Sequence, residues 1–168
     1  DDDIACYHKY ANFINNGNIL DLGTGWGKSM IALALSNTTN LVNSCDTGIY
    51  PIGQGWAENE FHYENKIKKI IKDFDLPNVN FYRIAAELLI NNTMPKIDLL
   101  HLDSWVELRN IDSTVFLQKW IDKVGEKGYI LMRNYGYGDR QAFTDSVDRA
   151  TTGLTKLETM GLITIWQK

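Results

Sequence analysis

The run DLGTGWGKS, residues 21–29, sets three glycines at alternate positions between an apolar strand-like segment and a helix-like one. Such a turn lets backbone approach a ligand closely at the carboxyl end of a strand, because glycine takes left-handed φ values and carries no side chain. It also imposes a strand–loop–helix order, and the rest of the chain keeps that order. GNILDLG (17–23) predicts the first strand and KSMIALALSN (28–37) a helix, while NLVNSCD (40–46) predicts the second strand. FHYENKIKKIIKDFD (61–75) places Ile67, Ile70, Ile71 and Phe74 three and four residues apart, an amphipathic helix. PNVNFYRIA (77–85) is a third strand, followed by the short helix AELLINN (86–92). KIDLLHLDS (96–104) is a fourth strand, apolar on both faces apart from His101, as buried parallel strands are. A helix over 113–124, a fifth strand over 128–136 and a helix over 139–152 follow, and residues 154–168 predict a hairpin around Gly161. Strands alternating with helices imply a doubly wound α/β fold, with a parallel sheet covered on both faces.

Composition narrows the function classes. The chain has 168 residues, long enough for one domain with a proper core, and no repeat or linker divides residues 1–168. A formal net charge of −4 gives no electrostatic footprint for nucleic acid, and the basic cluster KIKKIIK (66–72) reads as a solvated helix face. The longest apolar run, MIALAL (30–35), is far below the roughly 20 residues of a membrane span, so no membrane association is expected. Residues 1–10 lack the pattern of a signal peptide. Cys6 and Cys45 suggest neither a disulfide framework nor a zinc site; as buried thiols they point to a reducing, cytoplasmic compartment. The chain begins at Asp1 rather than Met, as a domain cut from a longer protein would. Its oligomeric state is not legible.

Three ligand classes use a loop like 21–29. A phosphate loop needs Gly-x-x-x-x-Gly-Lys-Ser/Thr, a length that wraps amide groups around a phosphate. Gly27-Lys28-Ser29 matches its end and IDLLHLD (97–103) resembles the strand and Asp that hold Mg²⁺, but the first glycine falls on Leu22. A dinucleotide loop needs Gly-x-Gly-x-x-Gly, and the third glycine here comes one position early. ILDLGTGWGKS instead resembles the first motif of the class I S-adenosylmethionine-dependent methyltransferases, an acid followed by Gly-x-Gly-x-Gly. Asp46 ends the second strand 19 residues beyond Gly27, about where an acid for ribose hydroxyls is expected.

That resemblance runs from about residue 10 to the end and is nearest to the small-molecule and sugar O-methyltransferase branch (macrocin- and catechol-type relatives). It implies a Rossmann-like seven-stranded sheet of order 3-2-1-4-5-7-6 with strand 7 antiparallel. It implies S-adenosyl-L-methionine as cofactor and S-adenosyl-L-homocysteine as product. Asp21 would accept from the methionine ammonium, directly or through water. Gly23, Thr24, Gly25, Trp26, Gly27, Ser29, Thr47 and Asp103 would line the cofactor, Asp46 would bind its ribose, and Ala85 and Ala86 its adenine. Bland readings stand beside these: Asp21 as a turn cap, Asp46 as a turn residue with Thr47-Gly48, and Trp26 packed on the neighbouring helix.

The chain also departs from the family. Ala85 and Ala86 stand where relatives have a polar residue, and DSWVELRN (103–110) has no His after its Asp to serve as base. Metal-dependent relatives use an Asp at the end of strand four plus Asp-Asp or Asp-Asn at strand five, positions occupied here by Asp103, Arg133 and Asn134. A permanent cation at one of them opposes a second, so no metal is expected. Asp103, Arg133 and Asn134 are then the candidate catalytic group, with two readings open. In one, Arg133 stabilises a developing alkoxide while Asp103 acts as base or orienter; in the other, Arg133 only pairs with Asp103. Tyr50, Trp56, Trp105, Tyr135 and Tyr137 fall in loops after the strands and are candidate acceptor contacts suited to a sugar ring. Of the histidines, His101 reads as a satisfied core residue. A non-catalytic methyltransferase-like module and a phosphate-loop nucleoside triphosphatase remain the alternatives.

Overall fold

A computed structural model describes residues 2–48, 60–89, 95–103, 112–138 and 141–168. Five parallel strands form the body of the sheet: β1 (Asn18–Leu22), β2 (Leu41–Cys45), β3 (Val79–Tyr82), β4 (Ile97–Asp103) and β5 (Val124–Arg133). β6 (Thr155–Met160) and β7 (Ile163–Gln167) form the expected hairpin, and β7 runs antiparallel to β5. The strand order is β3-β2-β1-β4-β5-β7-β6, as the family resemblance implies. The chain winds outward from β1 to β3 and then returns to β4, so the order reverses between β1 and β4. Ligands bind beside such a reversal, at the carboxyl ends of the strands.

Alternation along each strand divides the core into two layers. Ile19, Leu99, Leu131 and Ile165 pack under α1 (Asp2–Asn12) and α2 (Lys28–Ser36), with Cys6, Tyr10, Ala11 and Leu33. Leu20, Leu100, Ile130 and Trp166 pack on the opposite face against α5 (Thr114–Lys123) and α6 (Gln141–Ala150), where Trp120, Phe143 and Val147 lie. The short α4 (Ala86–Leu89) joins that second layer, and α3 (Glu60–Asp73) covers Met30 beside α2. No helix among the described residues is long and apolar enough to cross a membrane.

Three departures from the sequence expectation have physical causes. α1 was not anticipated, because its inner face consists of Asp3, Cys6, Tyr7, Tyr10 and Ala11, which keep helical spacing but are weakly apolar. β5 starts at Val124, four residues early, and its register against β4 shifts between Ile97 and Leu99. It ends at Arg133 rather than 136 because Asn134 and Gly136 take φ values of 63° and 73°, which turn the chain out of the sheet. On α3, Ile67 is buried as expected but Phe74, just beyond its end, is exposed.

Leu100 is wholly buried at the centre of the second layer, whereas Val115 is 70% exposed. Leu100→Ala is expected to lower unfolding stability by about 2–5 kcal/mol and Val115→Ala by less than about 0.5 kcal/mol, read from urea transitions.

Candidate active site

The glycine loop leaves β1 at Leu22 and enters α2 at Lys28, and Gly23, Gly25 and Gly27 have φ values of 93°, 51° and 84°. These are left-handed conformations that a side chain would oppose, and a Cβ placed on Gly25 meets nothing within 4 Å. The space beside Gly25 is therefore open among the described residues, whereas that beside Gly27 is filled by Met30, Ile31 and Ile70. Leu22 is itself a sheet residue, paired with Cys45 and Leu102, so the position at which a phosphate loop needs glycine lies inside β1. Lys28 and Ser29 start α2, with Lys28 exposed and Ser29 buried.

Asp46, just past the end of β2, is bound to this loop. Its Oδ2 accepts from the Gly25 amide at 2.9 Å and its Oδ1 from the Gly48 amide at 2.8 Å, and Thr47 lies between, half-buried. The Gly25 carbonyl in turn accepts from the Tyr63 hydroxyl of α3 at 2.9 Å, so both sides of that residue are held. Trp26 is 43% exposed, and the Lys66 ammonium of α3 stands over its ring at 4.1 Å. That cation–π contact places Trp26 against the neighbouring helix. Ala85 and Ala86 sit at the end of β3, where the Ala85 carbonyl accepts from the Leu88 and Leu89 amides and starts α4.

Asp21, expected to accept from the methionine ammonium directly or through water, has both carboxylate oxygens engaged within the sheet. It is fully buried, with Oδ1 accepting from His101 Nδ1 at 2.7 Å and Oδ2 from the Ser44 hydroxyl at 2.6 Å. The cause is sheet register: Ser44, Asp21 and His101 are direct neighbours across β2, β1 and β4. His101 Nε2 lies 3.1 Å from the Tyr7 hydroxyl, so this histidine is satisfied within the core, as its sequence context indicated. Asp21 therefore supports the loop from beneath.

Further along the same edge, Asp103, Arg133 and Asn134 come together at the ends of β4 and β5. Asp103 Oδ2 accepts from Arg133 Nη1 at 2.9 Å, and its Oδ1 accepts from Asn134 Nδ2 at 2.7 Å. Arg133 Nε donates to Asp3 of α1 at 3.1 Å, so the guanidinium is clamped between two carboxylates. Burial alone would lower the Arg133 pKa, but Asp103 and Asp3 outweigh it and raise it. Burial likewise works to raise Asp3, yet the Leu162 amide, Arg133 and Lys28 together hold its carboxyl below the usual range. A guanidinium bonded to the sole carboxylate of this trio does not suit a hard divalent cation, and no group of three acidic, His or Cys ligands occurs among the described residues.

Of the aromatic candidates, Tyr50, Trp56 and Trp105 lie outside the described residues. Tyr137 is 59% exposed beside the Asn134 turn. Tyr135 is held by the hairpin and α6. Its ring packs edge-on to Trp166 at 5.1 Å and its hydroxyl donates to Asp148 at 2.6 Å. That hydrogen bond, with burial, pushes its pKa up to about 12. The hairpin brings Trp166 back beside β5 and captures the ring. Sequence reasoning also missed Asp3, Tyr7, Ser44 and Tyr63, whose parts depend on contacts between distant segments; only the helical spacing of residues 3–11 carried a signal.

No protein-family model matches the chain, and no curated protein does. Solved structures do. A methyltransferase from Geobacter sulfurreducens superposes with a TM-score of 0.73 at 11% identity, covering 99% of this chain and 78% of that one. A Staphylococcus aureus protein provisionally named a caffeoyl-CoA O-methyltransferase gives 0.72 at 15% identity, over 99% and 82% of the two chains. The fold is that of the class I methyltransferases. A third example of this methyltransferase fold, from Clostridium thermocellum and provisionally named an rRNA methylase, gives 0.68 at 13% identity, covering 100% of this chain and 98% of that one.

The clamp on Arg133 yields a pH prediction. Asp3 titrates lower in the folded than in the unfolded chain, so its contribution is complete above the unfolded Asp value of about 4. It is lost as pH falls below that value through the depressed folded one. Asp3→Asn is therefore expected to lower the melting temperature at pH 7, with the gap to the parent protein closing as pH falls below about 4. Thermal unfolding across pH measures this.

Proposed function

We propose that this chain transfers a methyl group from S-adenosylmethionine to a hydroxyl of a sugar, glycan or other small molecule, without a catalytic metal. The observation that carries the reading is the bond between Asp46 and the glycine loop: an acid fixed on the Gly25 amide, beside the space that the missing side chain leaves. Gly23, Thr24, Gly25, Trp26, Gly27 and Ser29 would bed the amino-acid part of the cofactor. Asp46 and Thr47 would take the ribose hydroxyls, and backbone at Ala85 and Ala86 the adenine. When bound, S-adenosylmethionine supplies a methyl on a sulfonium, already activated, and is released as S-adenosylhomocysteine.

The chain's own contribution is positioning, exclusion of water and a proton acceptor. Asp103 is held rigidly by Arg133 and Asn134 yet stays 29% exposed, so its carboxylate can accept the proton of an acceptor hydroxyl and pass it to solvent. Arg133 Nη2 has no partner among the described residues and is the donor available to an oxygen gaining negative charge. Tyr137, with Tyr50, Trp56 and Trp105, would give aromatic faces to a sugar ring. The net charge of −4 argues against an RNA acceptor.

Calorimetry against S-adenosylhomocysteine and ATP in parallel tests the cofactor; binding of ATP alone would overturn the reading. Asp46→Asn, which removes a charge-assisted contact, is expected to weaken S-adenosylhomocysteine binding roughly 10- to 100-fold. In a methyl-transfer screen over hydroxyl acceptors including a sugar panel, turnover should persist with a chelator and fall at least about 100-fold in Asp103→Asn. Loss with chelator that Mg²⁺ restores would refute the metal-free mechanism, and cofactor binding without any transfer would mark a non-catalytic module.

A further inference from the structure

We infer that Tyr7, His101 and Ser44 are positioning residues for the glycine loop: a buried hydrogen-bonded row, Tyr7–His101–Asp21–Ser44–Thr24, ties the seating of α1 to the conformation of residues 23–27. The physical coupling stands on the contacts alone; its consequence for ligand binding rests on the cofactor reading above.

All five members are buried to 2% exposure or less. The row two residues earlier on the same face is Val42, Ile19 and Leu99, wholly apolar and in the same register. The sheet accommodates an apolar row two residues away, so strand geometry alone does not dictate a polar one. Among the described residues of β1, β2 and β4, this polar row lies at the rim end, next to the glycine loop.

One arrangement of hydrogens gives every donor of the row an acceptor. The Asp21 carboxylate accepts from His101 Nδ1–H at one oxygen and from Ser44 at the other. Ser44 has a single hydroxyl hydrogen and gives it to Asp21, so Thr24 must donate to the Ser44 oxygen, 2.6 Å away. At the other end the Tyr7 phenol, its pKa raised by burial, stays protonated and donates to His101 Nε2. Both arms run toward Asp21, and a buried carboxylate in low-dielectric surroundings depends on each donor. Thr24 passes the constraint into the loop. Its amide donates to the Cys45 carbonyl at 3.3 Å, and its own carbonyl accepts from Gly27, the residue before α2, at 2.8 Å. Tyr7 passes it into α1.

The test uses the full chain without ligand. In Tyr7→Phe, amide hydrogen exchange at Gly23, Thr24 and Gly27 should accelerate about tenfold relative to Ile130 and Ile165 in the sheet. Coupling is reciprocal, so Thr24→Val should accelerate the amides of Tyr7 and Tyr10 in α1, while Thr24→Ser, which keeps the hydroxyl, should exchange like the parent. A residue that merely fills space would alter only its own surroundings. Folded Tyr7→Phe with unchanged loop exchange overturns the inference. Should that variant not fold, unchanged α1 exchange in Thr24→Val does so. S-adenosylhomocysteine affinity is the second readout, expected to fall about 3- to 10-fold in Tyr7→Phe, with the Tyr7→Phe/Thr24→Val double variant losing less than the product of the single losses. Altered loop exchange in a protein that binds no S-adenosylhomocysteine would sustain the coupling and remove the cofactor reading. Tight binding with unmoved loop exchange would do the reverse.

Discussion

Parallel strands end on the same edge, and that constraint organises this molecule. Because β1, β2, β3, β4 and β5 run in one direction, Gly23, Asp46, Ala85, Asp103 and Asn134 all emerge on one rim although they span more than a hundred positions of sequence. Parallel pairing in turn requires helices on both faces, since neither face can be left to water. The reversal between β1 and β4 opens the crevice, and the short connection into α2 places the glycine loop beside it. Chemistry at this rim needs no long-range motion to bring its groups together; chain direction has already done so.

The face under α1 carries the charged groups that penetrate the sheet near that rim among the described residues. Asp21 lies in the cross-strand row with Ser44 and His101, and two residues further along β4 and β5 Asp103 meets Arg133. α1 meets both, through Tyr7 and Asp3 respectively. It is therefore more than an apolar cover: it supplies a hydroxyl donor to one buried group and a counter-charge to another. A guanidinium between two carboxylates is internally balanced, which keeps a partly buried cation affordable in a chain that is acidic as a whole.

Most of the architecture was legible in the sequence, because its signals are local. Alternation of strand and helix, the left-handed glycines after Leu22 and an acid at the end of the next strand each reside within a few neighbouring residues. The readings that failed depended on register or on return of a distant segment. Nothing near Asp21 shows that Ser44 and His101 flank it, because the parallel pairings of β1 decide that. Tyr135 looked like a loop aromatic until the hairpin placed Trp166 beside it. Arg133 was flagged as an anomaly from its position, but Asp3, 130 residues away, holds one side of it. α1 was missed because tyrosine, cysteine and alanine form a helical stripe that ordinary hydropathy barely registers.

The outermost strand bears on how copies of the chain behave toward one another. β6 forms one border of the sheet, and its pairing with β7 slips between Lys156 and Glu158. Both of those charges fold back over the protein, Lys156 across the rings of Tyr135 and Trp166 and Glu158 onto Lys9 and Tyr10. An irregular, charged border of this kind is a poor template for another strand. Continuation of the sheet by a second copy is thus disfavoured on that side by the same side chains that fasten the hairpin to α1 and to Tyr135.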